Sequence, residues 1–231
     1  MRVIAIAECG NCHEGSLQNA LWLLHAAHGA GADIVKFQAG TAEGFARKPE
    51  DVPRYRKYEL GLQGYWQIHH EARRLGVPVM YSVWSQEHGF DLFRHFHYYK
   101  IAARQSTPAF VKSHDRLGVF YSIPPEADLN DYANVRSAMP MHVVPEYPAP
   151  DPNFERLKQL SDFFAGRAGY SDHCLGTEAC VEAVGKYGAR WIEKHFTLAH
   201  NAGPLRDHVH GATPHEFKDM VERIRKCETQ N

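Results

Sequence analysis

Residues 169–197 read GYSDHCLGTEACVEAVGKYGARWIEKHFT. Two short apolar runs in this stretch end in polar clusters, Ser171-Asp172-His173 and Glu193-Lys194-His195. Between them Ala179, Ala183 and Val184 recur at helical spacing. The stretch therefore reads as strand, helix, strand, and each strand ends in a histidine beside a carboxylate. In a parallel sheet the carboxyl ends of the strands share one face. His173 and His195 then point into one space, and two converging imidazoles can bind a divalent metal.

The same alternation continues outward from this unit. Upstream strands are predicted at 3–7, 33–38, 78–83, 98–103, 118–123 and 141–144. A helix over 17–28 is capped by Ser16 and carries Leu17, Ala20, Leu21, Leu24 and Ala27 on one face. Further helices are predicted over 65–75, closed by Gly76, and over 87–96 and 108–114. Another starts at Asn153, and a last one, capped by Thr213-Pro214, runs to about Lys226. Residues 39–62 are polar and proline-interrupted and read as a long active-site loop; 124–136 are weakly patterned. Eight strands, each followed by a helix or its remnant, argue for a (β/α)8 TIM barrel as a single domain over 1–231. A doubly wound open sheet, the alternative, usually has fewer strands, and neither G-x-G-x-x-G nor a P-loop sequence occurs.

The hydrophobic fraction of 44% and charged fraction of 23% are ordinary for a soluble globular domain. A net charge of −1 favours neither nucleic acid nor an acidic membrane surface as partner. No run is apolar and long enough to span a bilayer, and MRVIAIAE lacks the longer apolar core of a signal peptide, so the expected compartment is cytoplasmic. The 16 histidines raise the case for a metal or proton-transfer site. Of the five cysteines, Cys9 and Cys12 form a C-x-x-C that reads as incidental thiols, with a redox pair or half a zinc site as the alternative.

Barrel enzymes place their chemistry at the carboxyl ends of the strands. Here those ends are Glu8; Lys36 with Gln38; Ser82; Lys100; Ser122; Glu146 with Tyr147; and the two histidine clusters. A lone strand-end lysine is more often ion-paired than a ligand, and a lone histidine is more often hydrogen-bonded structure. Burying polar groups at every end together is costly unless each is paired. Lys36, Lys100 and Ser171 make a phosphate or carboxylate site by charge-assisted hydrogen bonds. The alternative is ion pairing with Glu8 or Glu193, and both can hold at once. Glu8, ionised beside lysines, can orient a water or take a proton.

The segments AECGNCHEGS (with Glu8 to Ser16), GADIVKFQ, YKIA, PEYPAP, GYSDHCLG and IEKHFTL resemble, in this order, the sialic acid synthase family. The resemblance implies a phosphoenolpyruvate-dependent synthase that joins phosphoenolpyruvate to a sugar aldehyde and releases phosphate. It implies a manganese or magnesium ion (Mn2+ or Mg2+) on His173 and His195. It assigns phosphoenolpyruvate to Lys36, Lys100 and Ser171, catalysis to Glu8, and the sugar to Gln38, Gln105, Tyr147 and Asp207. Several positions depart from the family pattern. Ala103-Arg104-Gln105 stands where Ser-Gly-Glu is usual, Ser82-Val83-Trp84 for Ser-Thr-Pro, and Ser122-Ile123-Pro124 for Ser-Thr-Gly; Pro145 replaces a residue that is often polar. Arg104 is expected either to replace the lost hydroxyls as a bidentate phosphate ligand or to lie on the surface. The family's C-terminal antifreeze-like domain has no counterpart in these residues, and a homodimer is carried over from the family pattern. The changes predict an altered acceptor. The other readings are a metal-dependent aldolase, isomerase or hydrolase that does not use phosphoenolpyruvate, and a non-catalytic partner of a complete synthase.

Overall fold

Side chains two apart along a strand share a face, so the alternation along eight strands decides what fills the barrel. The computed structural model describes residues 2–84 and 96–229. The strands are β1 (Ile4–Gly10), β2 (Ile34–Ala39), β3 (Val79–Val83), β4 (Tyr98–Ile101), β5 (Val119–Ser122), β6 (Met139–Val143), β7 (Gly169–Asp172) and β8 (Trp191–His195). They close into a barrel in sequence order, parallel throughout, with β1 completing the ring against β8. The (β/α)8 expectation is met. The helix expected over 87–96 lies outside the described residues except for Phe96, which packs on Tyr81.

Ile6, Ile34, Met80, Phe120, Met141 and Trp191 form an apolar floor inside the barrel. Two residues further along, the same strand faces present Glu8, Lys36, Ser82, Ser122 and Glu193, all buried. On β7 a glycine stands at the level of the floor. A Cβ on Gly169 would lie 1.8 Å from Trp191 Cδ1, so the missing side chain admits the indole. The indole Nε1 then donates to Pro140 O at 3.0 Å. Outside the strands, Phe37, Tyr81, Tyr170 and Ile192 meet Leu23, Leu24, Ile68, Leu157 and Phe217 of the helices in one apolar layer.

Ser16 caps the first helix (Leu17–Gly29) as expected, accepting from Asn19 N at 3.2 Å. Thr213 and Glu216 form a capping box on the last helix, Pro214–Glu228. That helix returns to the first strand: Arg225 donates to Val3 O at 2.6 Å and pairs with Asp33 at 2.6 Å. The region read as loop is partly helical, with short turns at Ala42–Phe45, Pro49–Asp51 and Val52–Arg56, and the next helix starts at Gly61. Each turn is too short to show a 3.6-residue repeat, and Thr41, which caps the first, is the local signal that it forms. Strand β4 stops at Ile101, before the expected 103, because residues 103–105 turn and Gln105 N donates to Ala102 O at 2.8 Å. No helix among the described residues is long and apolar enough to cross a membrane.

Candidate active site

Above the apolar floor, Glu193 gathers the buried polar groups of four strands. Its Oε1 accepts from Lys100 Nζ and from Ser171 Oγ, each at 2.9 Å, and lies 3.0 Å from Lys36 Nζ. Lys36 also pairs with Glu8. The ion pairing weighed against a ligand site is therefore present, and two ammoniums face two carboxylates. Burial brings the Lys36 pKa down to about 7, against the opposing pull of Glu193. Burial also works against the Glu193 carboxylate, but Lys100 and Lys36 beside it hold it well below the usual range. An entering anion can compete with Glu193 for both ammoniums through charge-assisted hydrogen bonds.

Glu8 leads from this network to the mouth. Strand β1 slips register against β2 between Glu8 and Gly10, and such a bulge re-aims the side chains around it. Gly10 is left-handed, at φ 50°. A Cβ there would lie 3.1 Å from Glu8 Oε1, 3.3 Å from Asp207 Oδ2 and 3.7 Å from Gln38 Nε2. Three expected site residues thus surround one small space. Asn11 Nδ2 donates to Gln38 Oε1 at 3.1 Å and fixes that amide. The buried Glu8 Oε1 has no hydrogen bond among the described residues.

On the rim, the rings of His173 and His195 are 5.4 Å apart. His173 Nδ1 sits 2.7 Å from Val144 O, which leaves Nε2 as its ligand nitrogen. Tyr147 stacks on His173 at 4.1 Å and keeps 37% of its surface exposed, so it covers the histidines from outside. A one-turn helix, Arg206–His210, follows β8 and was not expected. Residues three apart on a helix share a face, so Asp207 and His210 both turn toward His195. The ring of His210 is 4.6 Å from that of His195. One donor atom from each of His195, Asp207 and His210 lies within 4.8 Å of the others, with His173 beside them. Burial lowers the pKa of His173 and His210 to about 4 and that of His195 well below the usual range. The imidazoles are therefore neutral, the form that ligates metal. Burial raises the Asp207 carboxyl to about 6, opposed by Arg206. Buried His195 Nδ1 and His210 Nε2 carry no hydrogen bond among the described residues, and this donor set fits a divalent ion.

Gln105 is half-buried in the turn after β4, at the same end of the barrel. The Arg104 guanidinium lies 4.5 Å from the centre of the Trp84 ring and donates to Gly44 O at 3.1 Å, which ties the loop after β4 to the loop after β2. Cys9 and Cys12 are buried free thiols, and burial pushes both up, away from the thiolate that metal or redox chemistry needs. Sequence reasoning named Glu193 as a partner of the lysines but missed His210 and the bond from Ser171 to the same Glu193 oxygen. The signal for His210 was its three-residue spacing from Asp207, just after the β8 histidine.

A protein-family model described as the NeuB family matches residues 129–231. The spore coat polysaccharide biosynthesis protein SpsE of Bacillus subtilis is 31% identical over 262 residues, covering 99% of this chain and 68% of its own. The N,N'-diacetyllegionaminic acid synthase of Legionella pneumophila is 29% identical, covering 99% and 73%. The crystal structure of an N-acetylneuraminic acid synthetase from Leptospira borgpetersenii superposes with a TM-score of 0.85 at 23% identity, over 100% of this chain and 85% of that one. At that identity the likeness speaks for the fold alone.

Proposed function

That this chain belongs to the NeuB family is the premise from which we propose that it condenses phosphoenolpyruvate with the open-chain aldehyde of a sugar and releases phosphate. The observation that carries this reading is one barrel mouth with two halves. A buried lysine–serine–glutamate network lies on the inside and a histidine–aspartate–tyrosine cluster on the rim, with Glu8 reaching both. Lys36, Lys100 and Ser171 would donate to the phosphate and carboxylate of phosphoenolpyruvate, taking over hydrogen bonds now made to Glu193. Gln38, Gln105, Tyr147 and Asp207 would hold the sugar. A new carbon–carbon bond forms between C3 of phosphoenolpyruvate and the aldehyde carbon, water adds at C2, and the phosphate leaves.

In that sequence Glu8 has the protein's proton-handling role. Its Oε1 is free to accept from a water or a sugar hydroxyl, and Lys36 on its other oxygen favours the ionised form. A divalent ion, manganese or magnesium, on His173 and His195 would supply Lewis-acid polarisation at the aldehyde oxygen. Tyr147, stacked on His173, would exclude water from that side.

Mixing the metal-loaded protein with phosphoenolpyruvate and a panel of N-acetylhexosamines and other aldoses tests the reading. Aldose-dependent release of inorganic phosphate is expected, with a rise in melting temperature on adding phosphoenolpyruvate alone. No phosphate from any aldose, together with no shift in melting, sinks it. The pairing of both lysines with Glu193 favours a second reading, a metal-dependent aldolase, isomerase or hydrolase that does not use phosphoenolpyruvate. Under that reading both results are negative while metal binding persists.

A further inference from the structure

The loops after β2 and β4 bring two arginines to the rim of the mouth, and neither has a carboxylate partner among the described residues. The Arg104 guanidinium lies over Trp84 and donates to Gly44 O at 3.1 Å. The Phe45 ring is 6.4 Å from that of Trp84 and 6.0 Å from that of Tyr55, so an aromatic shelf underlies this arginine. Arg47 follows two residues after Phe45 and is exposed. Two acids of the same loop are engaged elsewhere: Glu43 pairs with Arg56, and Glu59 lies 3.8 Å from the same guanidinium. We propose that the acceptor aldehyde carries an oxyanion, a phosphate ester or a carboxylate, at its far end, and that Arg104 and Arg47 hold it. The inference rests on the condensation reading above and names the class of its second substrate.

The topology puts this pair where the far end of an acceptor falls. The barrel closes in strand order, so the β2–β4 side of the rim stands across the mouth from the β6–β8 side. Tyr147, His173 and His195 line the β6–β8 side. An acceptor whose aldehyde lies at the histidines therefore extends its remaining carbons toward Trp84 and the arginines. Gln38 and Gln105, expected to hold the sugar, belong to the same β2–β4 side. Arg47 is also near enough to act on the ring that covers the histidines. Burial raises the Tyr147 pKa, as do Asp207 and Glu193, and the charges of Arg47 and Arg206 oppose them.

The lysine layer is a separate place. Lys36 and Lys100 are buried and paired with Glu193, whereas Arg104 and Arg47 are exposed on the rim. Burial, and then the like charge of Arg47, works against the charged form of Arg104. An oxyanion between the two guanidiniums relieves that repulsion, and a planar guanidinium takes two of its oxygens at once. The stacking on Trp84 and the bond to Gly44 O orient the Arg104 fork before an anion arrives.

The test follows phosphoenolpyruvate consumption by the metal-loaded protein with neutral aldoses, the same sugars phosphorylated on the terminal carbon, and the corresponding uronates. One charged class is expected to exceed its neutral parent in kcat/KM by roughly tenfold to a hundredfold, and which class does so identifies the oxyanion. Arg47→Ala, which removes no bond among the described residues, should cut that preference by roughly tenfold, through KM. Arg104→Ala should do the same, and Arg104→Lys, which keeps the charge without the fork, should restore part of it. Equal or better use of the neutral aldoses, or a preference unchanged in both alanine variants, overturns the proposal and leaves the condensation standing. No consumption with any of the three classes defeats the condensation reading and the proposal with it. If Arg104→Ala does not fold, Arg47→Ala decides.

Discussion

Gly10 does its work by lacking a side chain. It sits at φ 50° with Glu8, Asp207 and Gln38 all within 4 Å of where a Cβ would be. Gly10→Ala is expected to cost about 1 kcal/mol of stability through its left-handed backbone. Because the methyl fills the space between the three side chains, phosphate release should fall at least tenfold, well beyond what the stability loss explains. Parallel melting and rate measurements check this, and an unchanged rate would remove those residues from a shared site. The place of Glu8, Lys36 and Lys100 inside the barrel was readable in the sequence because a strand end declares both its face and its depth. That Ser171 and both lysines share one oxygen of Glu193 was not, because the strands of Lys100 and Glu193 are not neighbours and only closure of the barrel brings the two side chains to 2.9 Å. His210 was hidden for another reason: one helical turn leaves no periodic trace.

Strands β7 and β8 are locked together on their outer faces as well as at their tips. Lys194 Nζ donates to Asp172 Oδ2 at 2.8 Å and to Cys174 O at 2.5 Å, and both side chains of the pair are fully buried. Asp172 also accepts from Tyr170 OH and Cys174 N, each at 2.9 Å. The pair sits between Ser171 and Glu193 on the inward side and His173 and His195 above, so it sets the spacing of both halves of the site. Lys194→Met leaves a buried carboxylate unpaired and is expected to cost about 3 to 5 kcal/mol. That should lower the melting temperature by roughly 10 °C. The double variant Lys194→Met/Asp172→Leu should recover part of the loss; if the single change alone proves neutral, the pair does not brace these strands. This unit was the most legible part of the chain, since two apolar runs flank a helical repeat. The segment over 39–62 was the least legible, because its turns are set by single caps and prolines.

Across the whole molecule, buried histidines tie stability to pH. Burial lowers the pKa of His13, His142, His173 and His210 to about 4. In the unfolded chain they would titrate near 6.5, so between these values the unfolded state holds more protons. Their stabilising neutrality is complete above about pH 6.5 and is lost as pH falls toward 4. At ~1.4 kcal/mol per pKa unit, each is worth roughly 3 kcal/mol over that window. Together they rival the ~5–15 kcal/mol stability of an ordinary domain. The metal-free protein is therefore expected to unfold between pH 6 and pH 4, and denaturant midpoints across that range check it; a flat profile down to pH 4 contradicts it. The floor closed by Trp191 has one more consequence. With that end plugged, the barrel is a vessel with a single opening, and the lysine network lies one side-chain layer deeper than the histidines under Tyr147. Under the proposed condensation, the substrate on the lysines must arrive before the rim is filled and depart after it is cleared, which predicts a compulsory kinetic order for the two substrates.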